Sequence, residues 1–168
     1  ARLFRGDQQY YMQCPACGRL TLHGPTTPFT VLQLPVTSTD GLQQFESVQQ
    51  AMEYQLSPEV MDAAYRFECE NCASTEPPAR SMRLAQHPQV LALHLRRWNP
   101  VNLDAPYSHV VVPDQQLIVS GIRYFLSGFV CHLGNNTRCG HYTAVMRYPD
   151  AAGEWWFYDD TRVMLAQD

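Results

Sequence analysis

The sequence predicts an α+β chain, mostly antiparallel β with a single short helix. Three observations carry this. Hydrophobic runs of two-residue period are broken by Pro and Gly, one capped apolar stripe of helical spacing occupies residues 47–56, and two Cys-x-x-Cys pairs bracket that stripe. The first strand candidates are residues 10–13 and 29–34. At the helix, Ser47 followed three residues on by Gln50 is a capping-box pattern. Val48, Met52 and Leu56 stand at i, i+4 and i+8, one face that a core would cover. Residues 73–81 are a loop by composition, with two prolines among small polar residues. Beyond them nearly everything reads as strand: residues 89–96, 109–112, 124–132, 141–148 and 155–159.

Composition fits one ordinary domain or two small subdomains around a shared core. The chain has 168 residues, 45% hydrophobic and 17% charged. Its net charge is -4, and all 12 basic residues are Arg. A nucleic-acid binder carries a basic excess, so that class is disfavoured. No 18-residue apolar run marks a membrane span, and no signal peptide is visible. The chain opens at Ala1 and runs at once into structured-looking Leu3-Phe4. It is therefore expected to be a piece of a longer polypeptide. With nothing that suggests secretion, a cytoplasmic or nuclear location is expected.

Cys14-Pro-Ala-Cys17 and Cys69-Glu-Asn-Cys72 are two knuckles with 51 residues between them. A two-residue gap lets both thiolates of a turn face one ion, and two such turns complete a closed, structural tetrahedral site. One structural Zn²⁺ is the expectation. Disulfides, buried thiols or a redox pair are the competing readings, and nothing here suggests the oxidising compartment that disulfides need. Cys131, inside an apolar run, reads as a small buried hydrophobe. Cys139 lies two residues before His141, whose imidazole would lower its pKa, but it is not placed as a nucleophile.

The segment from Gly140-His141-Tyr142 to Trp155-Trp156-Phe157-Tyr158-Asp159 reads as a hairpin. A turn centred on Asp150 would set His141 opposite Asp159, with Asp160 pointing to the other face. A carboxylate beside an imidazole fixes its tautomer and steadies the imidazolium, as general bases require. A purely structural His–Asp pair explains these two residues alone equally well.

Taken in order, the motifs resemble the ubiquitin-specific protease family, a papain-like group of cysteine deubiquitinases. Leu3-Phe4-Arg5-Gly6, the strand at 29–34, Tyr65-Arg66-Phe67-Glu68-Cys69-Glu70-Asn71-Cys72, and His87-Pro88 through Arg96-Arg97-Trp98 each resemble a family segment. So do residues 124–134 with His132, Gly140-His141-Tyr142-Thr143-Ala144, and Trp155-Trp156-Phe157-Tyr158-Asp159-Asp160. The resemblance implies zinc-ribbon fingers over about residues 1–80 and a palm sheet over about 81–168. It implies Cys14, Cys17, Cys69 and Cys72 as zinc ligands, His141 as general base, Asp159 as the residue orienting it, and Asp160 as a possible auxiliary. The implied reaction is hydrolysis of the (iso)peptide bond after the C-terminal glycine of ubiquitin. Ubiquitin and ubiquitinated proteins are the expected partners, with no nucleic acid and no membrane. The family's thumb, with its nucleophilic Cys, has no counterpart here, so this chain alone is expected to be inactive. The Gly/Asn-rich residues 133–139 are expected to flank the path of ubiquitin's tail. A ubiquitin-binding pseudo-protease and a zinc-ribbon scaffold are the alternatives.

Overall fold

The computed structural model describes residues 3–98, 106–134, 139–148 and 153–166. In chain order the elements are β1 (Gly6–Gln13), β2 (Leu20–Phe29), β3 (Val31–Pro35), α1 (Val48–Leu56), β4 (Glu59–Val60), β5 (Ala79–Gln86) and β6 (Ala92–Arg96). They continue as β7 (Gln116–Val119), β8 (Ile122–Phe125), β9 (Gly128–Leu133), β10 (His141–Arg147), β11 (Trp155–Asp159) and β12 (Arg162–Leu165). Among the described residues, the expected mostly antiparallel sheet with one helix is what forms.

Two four-stranded sheets carry the sites. The first has the order β2-β1-β5-β4 and the second β12-β11-β10-β9, each antiparallel throughout. Outside these two sheets, β3 pairs with β6 in parallel and β7 forms a hairpin with β8.

The core lies where α1 meets β3, β5 and β7. Leu32, Leu34, Phe45, Ala51, Met52, Met82, Leu84, Leu117 and Val119 are buried there. The predicted stripe of α1 explains its half of this contact. Met52 is fully buried, and Val48 and Leu56 pack against the cluster from either side. Ser47 caps the helix, its Oγ accepting from the Gln50 backbone N–H. The Gln50 side chain reaches back as a capping box requires, but accepts from the Glu46 N–H at 2.9 Å rather than from that of Ser47.

Several strand expectations are corrected. Residues 109–112 form no strand: Val112 makes only an isolated parallel bridge to Ser47. Residues 124–132 are two strands, β8 and β9, separated by Leu126 and Ser127. Residues 79–81, read as loop, are the start of β5. There the Ala-Arg-Ser segment pairs with Tyr11, Met12 and Gln13 of β1, so long-range pairing overrides a composition that favours loop.

Candidate functional sites

The first sheet ends in a sulfur cluster. Cys14 follows directly on β1 and Cys69 lies ten residues before β5, so the pairing of β1 with β5 carries the two knuckles toward each other. Both knuckles use one backbone design. The carbonyl of the first Cys accepts from the N–H four residues on, Gly18 at 2.9 Å and Ala73 at 2.8 Å. The N–H of the first Cys donates to the carbonyl five residues on, Arg19 at 3.0 Å and Ser74 at 2.9 Å. The four Sγ atoms all lie within 4.8 Å of one another. Cys14 to Cys72 and Cys17 to Cys69 are both 3.7 Å.

Those separations are far too long for disulfides, and these four cysteines form none. They fit the edge of a zinc–thiolate tetrahedron, about 3.8 Å for Zn–S bonds of about 2.3 Å. The electrostatics point the same way. The Arg19 backbone N–H, then the Asn71 side chain, hold the Cys17 thiol down at about 6. The Asn71 and Cys72 backbone N–H groups lower that of Cys69. At Cys72 the Ser74 N–H also favours the thiolate, but desolvation and the neighbouring sulfurs outweigh it and push the group up to about 12. Charge at Cys72 is thus resisted by its neighbouring sulfurs, and a divalent cation among them would remove the conflict. Asn71 was not singled out from the sequence. Its place between Cys69 and Cys72 in the second knuckle was the available signal.

The second sheet carries the histidine. β10 runs between β9 and β11, with Tyr142 opposite His132 and His141 opposite Leu133. Across the hairpin the register is Ala144 with Tyr158, Val145 with Phe157, Met146 with Trp156 and Arg147 with Trp155. His141 is therefore not directly opposite Asp159, as a turn centred on Asp150 would require. Continuing the observed register places Thr143 there and His141 one diagonal step away. The expectation was wrong by two residues, and a two-residue shift preserves the face. Diagonal neighbours remain within reach of long side chains. His141 Nε2 and the Asp159 carboxylate Oδ1 are hydrogen-bonded. Residues 149–152 of the expected turn, like residues 135–138 of the loop expected beside ubiquitin's tail, lie outside the described residues.

Asp160 is a second correction. It does not point away. It opens the two-residue turn between Asp159 and Arg162 in a left-handed conformation, φ 50°. The turn brings its carboxylate within 4.8 Å of a His141 ring nitrogen and the Asp159 carboxylate. Strand alternation ends at Asp159, so the rule that sends successive side chains to opposite faces no longer applies; Asp tolerates the left-handed region better than most residues.

The His141 and Asp159 side chains are 44% and 32% exposed. The hydrogen bond to Asp159 raises the His141 pKa above its usual value; desolvation opposes it, and the charges of Asp159 and Asp160 add to it. With Nε2 donating to Asp159, the imidazole is held as the Nε2–H tautomer. Nδ1 is left as the nitrogen that takes up a proton.

The ubiquitin carboxyl-terminal hydrolase family model matches residues 1–168. The chain belongs to this family. It is similar to ubiquitin carboxyl-terminal hydrolase 23 of Arabidopsis thaliana, with 26% identity over 99% of this chain and 19% of that protein. Ubiquitin carboxyl-terminal hydrolase 4 of the same plant is 25% identical over 99% of this chain and 46% of its own length. The chain thus spans less than half the length of these relatives. Among solved structures, a SAGA DUB module of Ubp8, Sgf11, Sus1 and Sgf73 bound to monoubiquitin has a TM-score of 0.82 at 21% identity, covering 99% of this chain and 38% of that one. The same module bound to ubiquitin aldehyde has a TM-score of 0.82 at 19% identity, with the same coverage. At that identity the likeness is one of fold. No helix among the described residues is long and apolar enough to cross a membrane.

Proposed function

We propose that this chain is the zinc-bearing and base-bearing part of a thiol-dependent deubiquitinase, with fingers over about residues 1–80 and a palm over about 81–168. The observation that carries the reading is the His141–Asp159 hydrogen bond, held by a two-strand register within a chain of the hydrolase family. Cys14, Cys17, Cys69 and Cys72 would hold one zinc ion, which stiffens the end of the first sheet and takes no part in the reaction.

In the proposed reaction His141 Nδ1 takes the proton of a cysteine thiol. The thiolate attacks the carbonyl carbon of the C-terminal glycine of ubiquitin, the bond to the lysine nitrogen being the one that breaks. His141 then returns the proton to the leaving lysine amine, and a water activated by the same nitrogen hydrolyses the thioester. Asp159 keeps the tautomer and stabilises the imidazolium. Asp160 would add to that stabilisation through its charge. The reading assigns the nucleophile to polypeptide outside these 168 residues. Apolar side chains left bare on β9–β12 support it. Val130, Tyr142, Val163 and Leu165 are each at least half exposed. Ubiquitin and its conjugates are the proposed partners, in the cytoplasm or nucleus.

A fluorogenic substrate at ubiquitin's C terminus tests the proposal on the full-length protein. Hydrolysis lost in His141→Ala and reduced in Asp159→Ala supports it. Hydrolysis by the 168-residue chain alone would place the nucleophile at Cys131 or Cys139 instead. Ubiquitin binding without hydrolysis in the full-length protein would make it a pseudo-protease, and neither would leave a zinc-ribbon scaffold.

A further inference from the structure

Just before His141, a second histidine lies against Gly134 and Gly140. His132 stands on β9 opposite Tyr142, and the two rings lie 4.8 Å apart between centroids. Its imidazole also lies across two glycines, one on each stem of the loop. A Cβ built at Gly140 would sit 2.0 Å from His132 Nε2, 2.7 Å from Cε1 and 2.9 Å from Cδ2. A Cβ at Gly134 would sit 2.9 Å from Cε1 and 2.7 Å from the Cys139 carbonyl oxygen. Neither glycine has a positive φ, so neither is needed for its backbone freedom. Both are small because the ring and the opposite stem occupy the space where their side chains would stand.

Residues 140 and 142 are the two chain neighbours of His141, and His132 packs on both. Side chains on a strand alternate between faces, so His132 and Tyr142 share the face opposite to His141. On that face the ring lies on the other side of the sheet from the His141 side chain. It acts on the backbone that aims His141 across the hairpin. The His141–Asp159 contact is diagonal, and a diagonal contact is lost with smaller backbone shifts than a direct one. We infer that His132 is a positioning residue: its imidazole, wedged against Gly140 and Tyr142, sets the backbone that keeps His141 hydrogen-bonded to Asp159.

This inference rests on the base role given to His141, but its main readout does not need hydrolysis. Deuterium uptake at the imidazole C2–H, followed across pH by mass spectrometry of the full-length protein, gives the pKa of His141 directly. The expected result is a His141 pKa above its usual value in wild type, lowered toward that value in both His132→Ala and Gly140→Ala. The double variant is decisive. With the ring gone, the Gly140 methyl group has space, so Gly140→Ala added to His132→Ala should cost nothing further, a non-additivity of the kind coupled neighbours show. If hydrolysis is confirmed, kcat should fall about tenfold in either single variant with KM within about twofold, because orientation and not ubiquitin binding is lost. A His141 pKa unmoved in both single variants overturns the inference. So does Gly140→Ala being equally damaging with and without the His132 ring. If the pKa shifts appear and no hydrolysis is found, the positioning role stands and the deubiquitinase reading fails.

Discussion

Gly18 and Ala73 occupy the same place in the two cysteine knuckles, four residues after Cys14 and Cys69, and both are left-handed, with φ of 71° and 54°. One knuckle uses the residue that adopts this conformation without cost; the other forces an alanine into it. A Cβ at Gly18 would meet nothing within 4 Å, so the only penalty for a side chain there is conformational. Gly18→Ala should destabilise the zinc-loaded protein by about 1 kcal/mol, and Ala73→Gly should stabilise it by up to a similar amount, part of the gain being returned as unfolded-chain entropy. Denaturant unfolding with zinc in excess checks both signs. Two changes of the same sign would mean that the knuckles are not equivalent.

Removing the metal should act locally. Native mass spectrometry should find one zinc per chain, lost on chelation and in Cys17→Ser. Binding energy at such a site is folding energy. Hydrogen exchange should therefore rise along β1, β2 and β5, the strands tied by the cluster. The α1 helix, fastened to β3 and β7 through Leu34, Met52 and Val119, should stay protected. Equal loss of protection in both places would show that the first sheet and the core unfold as one unit.

The start of α1 has a partner that no local pattern reveals. Asp114 Oδ2 accepts from the Gln49 backbone N–H at 2.8 Å, 65 residues away in sequence. It thus takes a second orphan donor of the first turn and places a negative charge at the positive end of the helix dipole. The Gln49 side chain reaches β7 in turn, accepting from the Ile118 N–H at 2.9 Å. Ser47→Ala and Asp114→Ala should each cost about 1 kcal/mol of stability. Their effects should add closely, since the two caps serve different N–H groups. A value near zero for Asp114→Ala would leave Ser47 as the only cap that matters.

What could be read in the sequence was local. The capped helix, the paired knuckles and the His–Asp hairpin all depend on residues whose spacing within one or two elements sets the geometry. β2 was missed because Gly24, Pro25 and Pro28 argue for turns. It forms at the sheet edge, where a proline's missing N–H costs no ladder bond, and its register with β1 shifts between Gln8 and Tyr10. The β7–β8 hairpin did have a signal, Ser120-Gly121, both at positive φ as a type I′ turn requires. The parallel pairing of β3 with β6 had none, because its partners lie far apart in sequence and no turn joins them. The hairpin register was legible only modulo two: alternation fixes which face a side chain takes, while the turn length decides which neighbour it meets. Asp160 failed for a different reason, since its side chain is aimed by a left-handed turn residue and not by strand alternation.

The charge of Asp159 should set the pH behaviour of the site. Its hydrogen bond is the largest influence on His141 and raises the pKa above the usual 6.5; its charge, and that of Asp160, add smaller contributions in the same direction. Asp159→Asn keeps an oxygen that can accept from Nε2–H but removes the charge. It should therefore lower the His141 pKa toward 6.5 while leaving the tautomer unchanged. Asp160→Asn should lower it less. Because the folded value is raised, the protonated pair contributes stability fully below the unfolded pKa, and that contribution is lost as pH rises through the folded pKa. The stability gap between wild type and Asp159→Asn should thus be larger at mildly acidic than at alkaline pH. Both side chains are substantially exposed, so the gap should be small and should shrink further in salt. The pKa is read from imidazole C2–H exchange and the gap from denaturant unfolding at the two pH values. A larger drop in Asp160→Asn than in Asp159→Asn would make Asp160 the main partner of His141. A gap that widens at alkaline pH would mean that the neutral imidazole, not the imidazolium, is what the carboxylate stabilises in the folded chain.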